Sequence, residues 1–319
     1  MKFSVIIPMY NNQHTIGRAM HSVLSQFGEL VDEVELIVIN DGSNDKSISV
    51  VNRIQKENRH HKIIVHSQEN RGVSAARNKG VDLASHHLVA FLDADDSYEP
   101  YFLDEITKLI TKYPQASVYS TAYRFINPRA GTKRVSNIKG LSAKKDRQLL
   151  RDFFSSTATG DLPLTSSSIC VHKAALLEVG GFPEKENMGE DQAVWSQLAL
   201  TQFIAISKKV CASYYEDTYS SLMQTIEPSH EMPFSQRLQQ QLDSQKIPMK
   251  YANSVRKYVA GHLLDLVRRN IKADNLDKAK MLLSDARGRV QLRRWVYWSV
   301  KLRFIMFQND FNKMGSLAH

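Results

Sequence analysis

Short, largely apolar runs alternate with amphipathic stretches from the start of the chain to residue 92, and that alternation leaves few folds open. Residues 3–8, 35–40, 62–66 and 88–92 are rich in Val, Ile and Leu and read as strands. Residues 14–27, 45–57 and 73–85 read as helices. Ile16, Met20, Val23, Leu24 and Phe27 share one face of the first, and Ile48, Val51 and Ile54 one face of the second. Alternation at this spacing is the signature of βαβ units and a parallel sheet. The strands are almost continuously apolar, as in a sheet covered by helices on both faces.

Beyond residue 92 the pattern is less regular. Helices are expected at 99–112, 149–154 and 189–200, and strands at 116–121, 167–172 and 203–206. Residues 127–145 are polar and basic, with Pro128, Gly131 and Gly140, and read as a mobile loop. From about Met232 the pattern is helical. Val255, Tyr258, Val259, His262, Leu263, Leu266, Val267 and Ile271 make one apolar face. Leu276, Ala279, Leu282 and Leu283 continue on a second helix. Residues 293–307 form a third, mixing Trp295, Tyr297, Trp298, Phe304 and Phe307 with Arg293, Arg294, Lys301 and Arg303. The expected organisation is an α/β domain over 1–230, in halves of about 1–115 and 116–230, and a basic helical region over 231–319, with the boundary near Ser229 to Pro233.

Composition narrows the function. With 42% hydrophobic and 24% charged residues, the 319-residue chain is an ordinary globular one. Two cysteines, Cys170 and Cys211, exclude a disulfide framework and a four-thiolate zinc site, and leave room for one bridge. No apolar run reaches the ~18 residues of a membrane-spanning helix. The opening residues read as a strand running into Pro8, not as a signal peptide, so a cytoplasmic protein is expected. The net charge of +9 is uneven: Met232 to His319 carries 17 Lys and Arg against 6 Asp and Glu. Such asymmetry suggests an anionic partner, or else a solvated basic tail.

Open α/β sheets present ligand-binding residues at the C-terminal ends of their strands. Here those ends read Pro8-Met9-Tyr10-Asn11, Asn40-Asp41-Gly42-Ser43 and Asp93-Ala94-Asp95-Asp96. Asp41-Gly42 is also turn chemistry, and one of the later aspartates could cap the next helix. Three acidic residues directly after an apolar strand exceed what a cap needs. Carboxylates spaced this way can share Mg²⁺ or Mn²⁺ with phosphate oxygens. Glu190-Asp191, after Gly189, opens a helix where the dipole favours negative charge, and is also placed to supply a general base. No Ser-His-Asp or Cys-His arrangement stands out.

In these residues the chain resembles family 2 glycosyltransferases of the GT-A fold. Val5-Ile6-Ile7-Pro8-Met9-Tyr10-Asn11-Asn12 is similar to the family's opening strand. Glu35 to Asp45 (E-L-I-V-I-N-D-G-S-N-D) matches its second block, with Asn40 in place of an Asp. Asn70 to Gly80 (N-R-G-V-S-A-A-R-N-K-G) matches the third, and Phe91-Leu92-Asp93-Ala94-Asp95-Asp96 the D-x-D block. Gly181-Phe182-Pro183 followed by Gly189-Glu190-Asp191 is similar to the acceptor-side block. Together these five, in order, cover about residues 3 to 205. The resemblance implies a Rossmann-like, mostly parallel sheet, a nucleotide-diphospho-sugar donor (UDP-sugar first) and inverting transfer of a hexosyl or N-acetylhexosaminyl group. The acceptor would be the hydroxyl of a saccharide or lipid-linked saccharide, in surface polysaccharide or glycolipid assembly. It further implies donor contacts by Pro8, Tyr10, Asp41, Arg71, Asp93 and Ala94, a divalent cation (Mn²⁺ or Mg²⁺) on Asp95 and Asp93, and a base at Asp191 beside Glu190. Arg77 is either a donor contact or a buried clamp for the loops. Where many relatives carry a Y-x-x-H-x-x-S segment, this chain has Tyr214 to Ser221 without His or Arg; Asp217, His230 or the 127–145 loop would have to substitute.

Two rivals remain. One is a catalytically silent GT-A-like nucleotide-binding partner subunit. The other, a nucleotidyltransferase, ordinarily needs a Gly-rich, cation-bearing phosphate loop after the first strand, and residues 8–17 hold one Gly and no Lys. The basic tail suits either an anionic membrane surface, which would make the protein peripheral on the cytoplasmic face, or a helical subdomain packed on the catalytic domain or a second subunit. No nucleic-acid reader module is recognisable, so nucleic acid is not an expected partner.

Overall fold

The computed structural model describes residues 1–26, 28–186, 188–216 and 230–316, with side chains to residue 309. It divides into two compact units, Met1–Leu222 and Met223–His319.

The first unit opens with four βα-type repeats: β1 (Lys2–Met9), α1 (Ile16–Leu24), β2 (Glu33–Asp41), α2 (Ser47–Glu57), β3 (Lys62–Gln68), α3 (Val73–Leu83), β4 (Leu88–Phe91), a short β5 (Ser97–Tyr98) and α4 (Phe102–Lys112). Then come β6 (Val118–Asn127), β7 (Thr132–Val135), β8 (Arg147–Leu149), α5 (Phe153–Thr159), β9 (Ile169–His172), α6 (Lys173–Glu178), α7 (Glu190–Thr201) and β10 (Ile204–Tyr215). The sheet runs β3-β2-β1-β4-β9-β6-β10-β5, with β7 on β6 and β8 on β10. β1 pairs in parallel with both β2 and β4, β2 with β3, and β6 with β10; β9 is antiparallel to its neighbours. Strand order reverses at β1, the kind of switch point beyond whose strand ends open α/β sheets receive ligands. Phe3 to Met9 are fully buried, as a strand covered on both faces must be, and α1 buries Ile16, Ala19, Met20 and Val23.

Several later expectations are corrected. Residues 127–145 do not form one loop: Thr132–Val135 pairs antiparallel with residues 124–127. The turn is closed by the Ala130 N–H donating to the Asn127 side chain, and the hairpin is tied down by Arg134, which pairs with Asp161 at 2.7 Å. The helix expected at 149–154 starts only at Phe153, where the Asp152 carboxylate caps it, because Leu149 belongs to β8. β10 runs far past residue 206, with irregular register between Ser207 and Ala212 that re-aims its end. None of the aspartates after β4 caps α4; the capping position is Tyr101, without a side-chain bond. Cys170 and Cys211 are buried free thiols, so no bridge joins them.

One buried carboxylate staples the far end of the sheet. Glu35 is fully buried and accepts hydrogen bonds from the Ser4 hydroxyl (2.5 Å), the Ser85 hydroxyl and N–H (both 2.6 Å) and Lys62 (2.7 Å). Burial pushes its carboxyl up, but these donors outweigh it and hold the group down to about 2. The stabilisation is therefore complete above the ordinary carboxylate range and is lost as pH falls toward 2, worth about 3 kcal/mol at neutral pH. Glu35→Gln is expected to melt lower than wild type at pH 7 and to lose less stability between pH 5 and 2, as read by thermal melts across that range.

The second unit is helical: α8 (Pro233–Asp243), α9 (Met249–Lys272), α10 (Leu276–Ser284) and α11 (Leu292–Ser316), the last following a 3-10 turn, Ala286–Gln291. Phe234, Leu238, Val255, Val259, Leu263 and Val267 are among its buried side chains, so the apolar face expected on α9 is its core face. Arg287 grips Glu231 and Asp285, and the Trp295 indole donates to the Leu283 carbonyl at 2.9 Å. Among the described residues no helix is long and apolar enough to cross a membrane.

Candidate active site

The first two strand ends are laced together by short polar side chains. Asn11 N–H donates to the Ser43 hydroxyl (3.0 Å), and Asn44 N–H to the Asn11 side chain (2.9 Å). Pro8 is buried in β1 opposite Ile39, while the Tyr10 ring, just past the strand, is 46% exposed and can cover a planar ligand. Asn40 accepts from Ser43 N–H and donates to Ser67, a local role for which an ionised Asp would lack the donor. Gly42 turns the chain at φ +74°, where a Cβ would stand 2.8 Å from Asn70 N; only glycine fits.

Asp41 is buried at the end of β2. Its carboxylate accepts from Gln68 (2.8 Å), Arg71 N–H (2.9 Å) and Gly72 N–H (2.8 Å), fixing the entry to α3. A carboxylate has acceptor sites for one donor more. The Arg71 side chain is well exposed and pairs with Glu184 at 2.7 Å. Asn78 exchanges two hydrogen bonds of 2.8 Å with the main chain of Phe182. Two motifs a hundred residues apart in sequence thus sit side by side.

Arg77 resolves as the buried clamp. It is 4% exposed and donates to Asp93 at 2.8 Å and Glu190 at 2.9 Å. Its guanidinium is held above even its ordinary high range by Asp93 and Glu190, against the cost of burial. The clamp brings the segment after β4 to the first turn of α7. Gly189 caps that helix at φ +75°, a left-handed conformation that sends Glu190 and Asp191 straight into the first turn.

Asp93 and Asp95 are half-buried at the rim of β4, and Asp96 lies beneath them, 1% exposed. Asp96 accepts from the Ser167 hydroxyl (2.5 Å) and Tyr215 N–H (3.0 Å), and Ser167 also accepts from Asp93 N–H (3.1 Å). Burial, then the charges of Asp95 and Asp93, push the Asp96 carboxyl well above its usual range. The Asp95 carbonyl accepts from Arg18, whose guanidinium lies 3.6 Å from the centre of the Tyr215 ring. Ala94 is 4% exposed, so its methyl packs in the core and only its main chain can face a ligand. Among the described residues no three His, Cys, Asp or Glu form a ready-made metal cage. Two hard carboxylates crowded by a third nevertheless fit Mg²⁺ or Mn²⁺, which keep waters and complete their shell with substrate phosphates.

Asp191 is half-buried. Burial, then the Glu190 charge, raises its carboxyl to about 7, although Arg77 opposes the shift. Glu190 is committed to Arg77, so the residue with a base's pKa is Asp191. Ser167 and Arg18 escaped sequence reading, as did the buried role of Asp96 beneath the other two aspartates, because their partners are distant in the chain. Asp217 lies outside the described residues, and His230 is an exposed residue of the second unit.

A family model, Glycosyl transferase family 2, matches residues 4–178. A glycosyltransferase, GlyA, from Streptococcus pneumoniae is 33% identical over 41% of this chain and 18% of its own length. The GalNAc(5)-diNAcBac-PP-undecaprenol beta-1,3-glucosyltransferase of Campylobacter jejuni is 28% identical over 62% of this chain and 59% of its own. The chain thus spans less than two thirds of either relative. In fold it is similar to S. aureus TarS 1-349 in complex with UDP-GlcNAc (TM-score 0.58, 16% identity, 88% of this chain and 90% of the other). It is also similar to the mannosyltransferase PcManGT from Pyrobaculum calidifontis in complex with GDP-Man and Mn²⁺ (TM-score 0.60, 18% identity, 98% and 87%). Both likenesses show a GT-A-like α/β fold followed by helices. With the family model matching more than half of its residues, the chain belongs to glycosyl transferase family 2.

Proposed function

We propose that this glycosyltransferase moves one sugar, with inversion, from a UDP-sugar to a hydroxyl of a saccharide or lipid-linked saccharide. The observation that carries the reading is the Arg77 clamp, which holds a donor-side carboxylate, Asp93, and the acceptor-side helix in one buried ion-pair network. The likeness to proteins seen with UDP-GlcNAc and with GDP-Man and Mn²⁺ supports a nucleotide-sugar donor, and the Campylobacter relative's name supports a lipid-linked acceptor.

In this reading Tyr10 covers the base, Pro8 and the main chain at Ala94 shape the nucleotide site, and Asp41 holds the loop that carries Arg71. Asp93 and Asp95 would hold a divalent cation, which when bound supplies counter-charge to the departing diphosphate. Asp191 takes the proton of the acceptor hydroxyl as the oxygen attacks the anomeric carbon. One displacement with no enzyme-bound sugar inverts that carbon. NMR of the product's anomeric proton checks this: inversion is expected, and retention overturns the reading. Because the base must be ionised, the transfer rate is expected to rise with pH through about 7 and level off above it, as read from a pH–rate profile at saturating donor.

A further inference from the structure

Helix α11 is apolar on two sides, and only one of them is used. Leu302 is 3% exposed in the core of its unit, and Trp295 is anchored to the Leu283 carbonyl. The other side carries Leu292 (60% exposed), Val296 (45%), Val300 (62%) and Phe304 (59%), which recur every fourth residue and make one stripe, with Tyr297 (56%) beside it. At 100° per residue, Arg293 and Arg303 fall within the same arc, on either side of Val300. Lys301 reaches across the Tyr297 and Trp298 rings. Between Leu292 and Asn309 there is no Asp or Glu.

We propose that this face of α11 lies in the surface of an anionic membrane, with the apolar stripe among the acyl chains and Arg293, Lys301 and Arg303 at the phosphate level. Charge decides the occupant. A second copy packed through residues 292–309 would set these cations against their own equivalents, with no carboxylate in that stretch to offset them. An anionic lipid surface offers phosphates at the depth a guanidinium reaches from a buried aliphatic stem. Tyr297 at the edge of the stripe suits the headgroup region. The proposal rests on exposure and charge in the second unit and stands apart from the assignment of the catalytic residues.

Flotation of the full chain with phosphatidylcholine vesicles containing about 30% phosphatidylglycerol tests it, against pure phosphatidylcholine vesicles. Binding is expected to the anionic vesicles only, and to weaken as salt rises from about 0.1 to about 0.5 M. Arg293→Gln with Arg303→Gln is expected to lower the partition coefficient about 25-fold, roughly fivefold per cation. Val300→Ser with Phe304→Ser is expected to lower it at least about tenfold. All four positions are exposed, so circular dichroism and melting of the variants should match wild type. Absence of flotation, equal binding to neutral vesicles, or a concentration-dependent dimer that Val300→Ser with Phe304→Ser dissolves without changing lipid binding would each overturn the proposal.

Discussion

Arg77→Met is expected to cost the first unit about 3–5 kcal/mol and to cut sugar transfer by about a hundredfold or more. The side chain is nearly the same size, so packing against Phe182 survives while both ion pairs vanish. Asp93 and Glu190, both partly buried, then face each other without the buried Arg77 cation, and removing one partner of such a network leaves uncompensated charge. The structural and chemical consequences separate in the pH profile. Arg77 is the influence that holds the Asp191 carboxyl down against burial and Glu190. Without it the acid limb of the rate profile should move above pH 7. Arg77→Lys should recover part of the stability but not the geometry, since one ammonium cannot present two N–H groups in a fixed fork to two carboxylates. Denaturant melts together with pH–rate profiles check the pair. A stability loss with an unmoved acid limb would make Arg77 a fold residue only.

Asp191→Asn should have the opposite signature. The amide keeps the shape and cannot take a proton, so kcat should fall by about 10² to 10⁴ while nucleotide affinity changes little. Its effect on stability should be favourable at high pH. A carboxyl whose folded pKa is raised binds its proton more tightly in the native state, so the native state loses ground as pH climbs from the ordinary carboxylate range through about 7. Asp191→Asn removes that loss and should melt higher than wild type at pH 8, with no such gain at pH 4. Steady-state kinetics and melts at the two pH values measure both halves. Unchanged kcat would remove Asp191 from the mechanism.

Much of this architecture is legible in local pattern. Doubly covered strands announce themselves as Val and Ile runs, and open α/β sheets receive ligands at one known end of their strands, which is why Pro8, Asp41, Asp93 and Asp95 can be named from sequence as candidates. What hides is whatever depends on partners far along the chain. Ser167 looks like one serine in a run of three, yet its hydroxyl bridges the Asp93 N–H and the Asp96 carboxylate. Arg77 reads equally as ligand or clamp until its burial and two carboxylate partners are known. Leu149 sits in an apolar stretch that suits a short helix, but the neighbouring β10 offers it an antiparallel partner in Ala205, and pairing wins over local propensity. The strand Thr132–Val135 is exposed along its whole length, with three polar residues before Val135, and so lacks the alternation that marks a half-buried strand. In α11 the sequence shows the aromatic and basic residues, while the packing of Leu302 reveals which side remains open.

The proposed function stands on a nucleotide-sugar site built on Asp93 and Asp95, with the base on a separate helix. Calorimetric titration of UDP, with and without Mn²⁺, into wild type, Asp95→Asn and Asp191→Asn tests it most directly. Mn²⁺-dependent binding is expected, weakened about tenfold or more by Asp95→Asn and left intact by Asp191→Asn. UDP binding indifferent to both Mn²⁺ and Asp95, or failure of UDP and GDP alike to bind wild type, would contradict it.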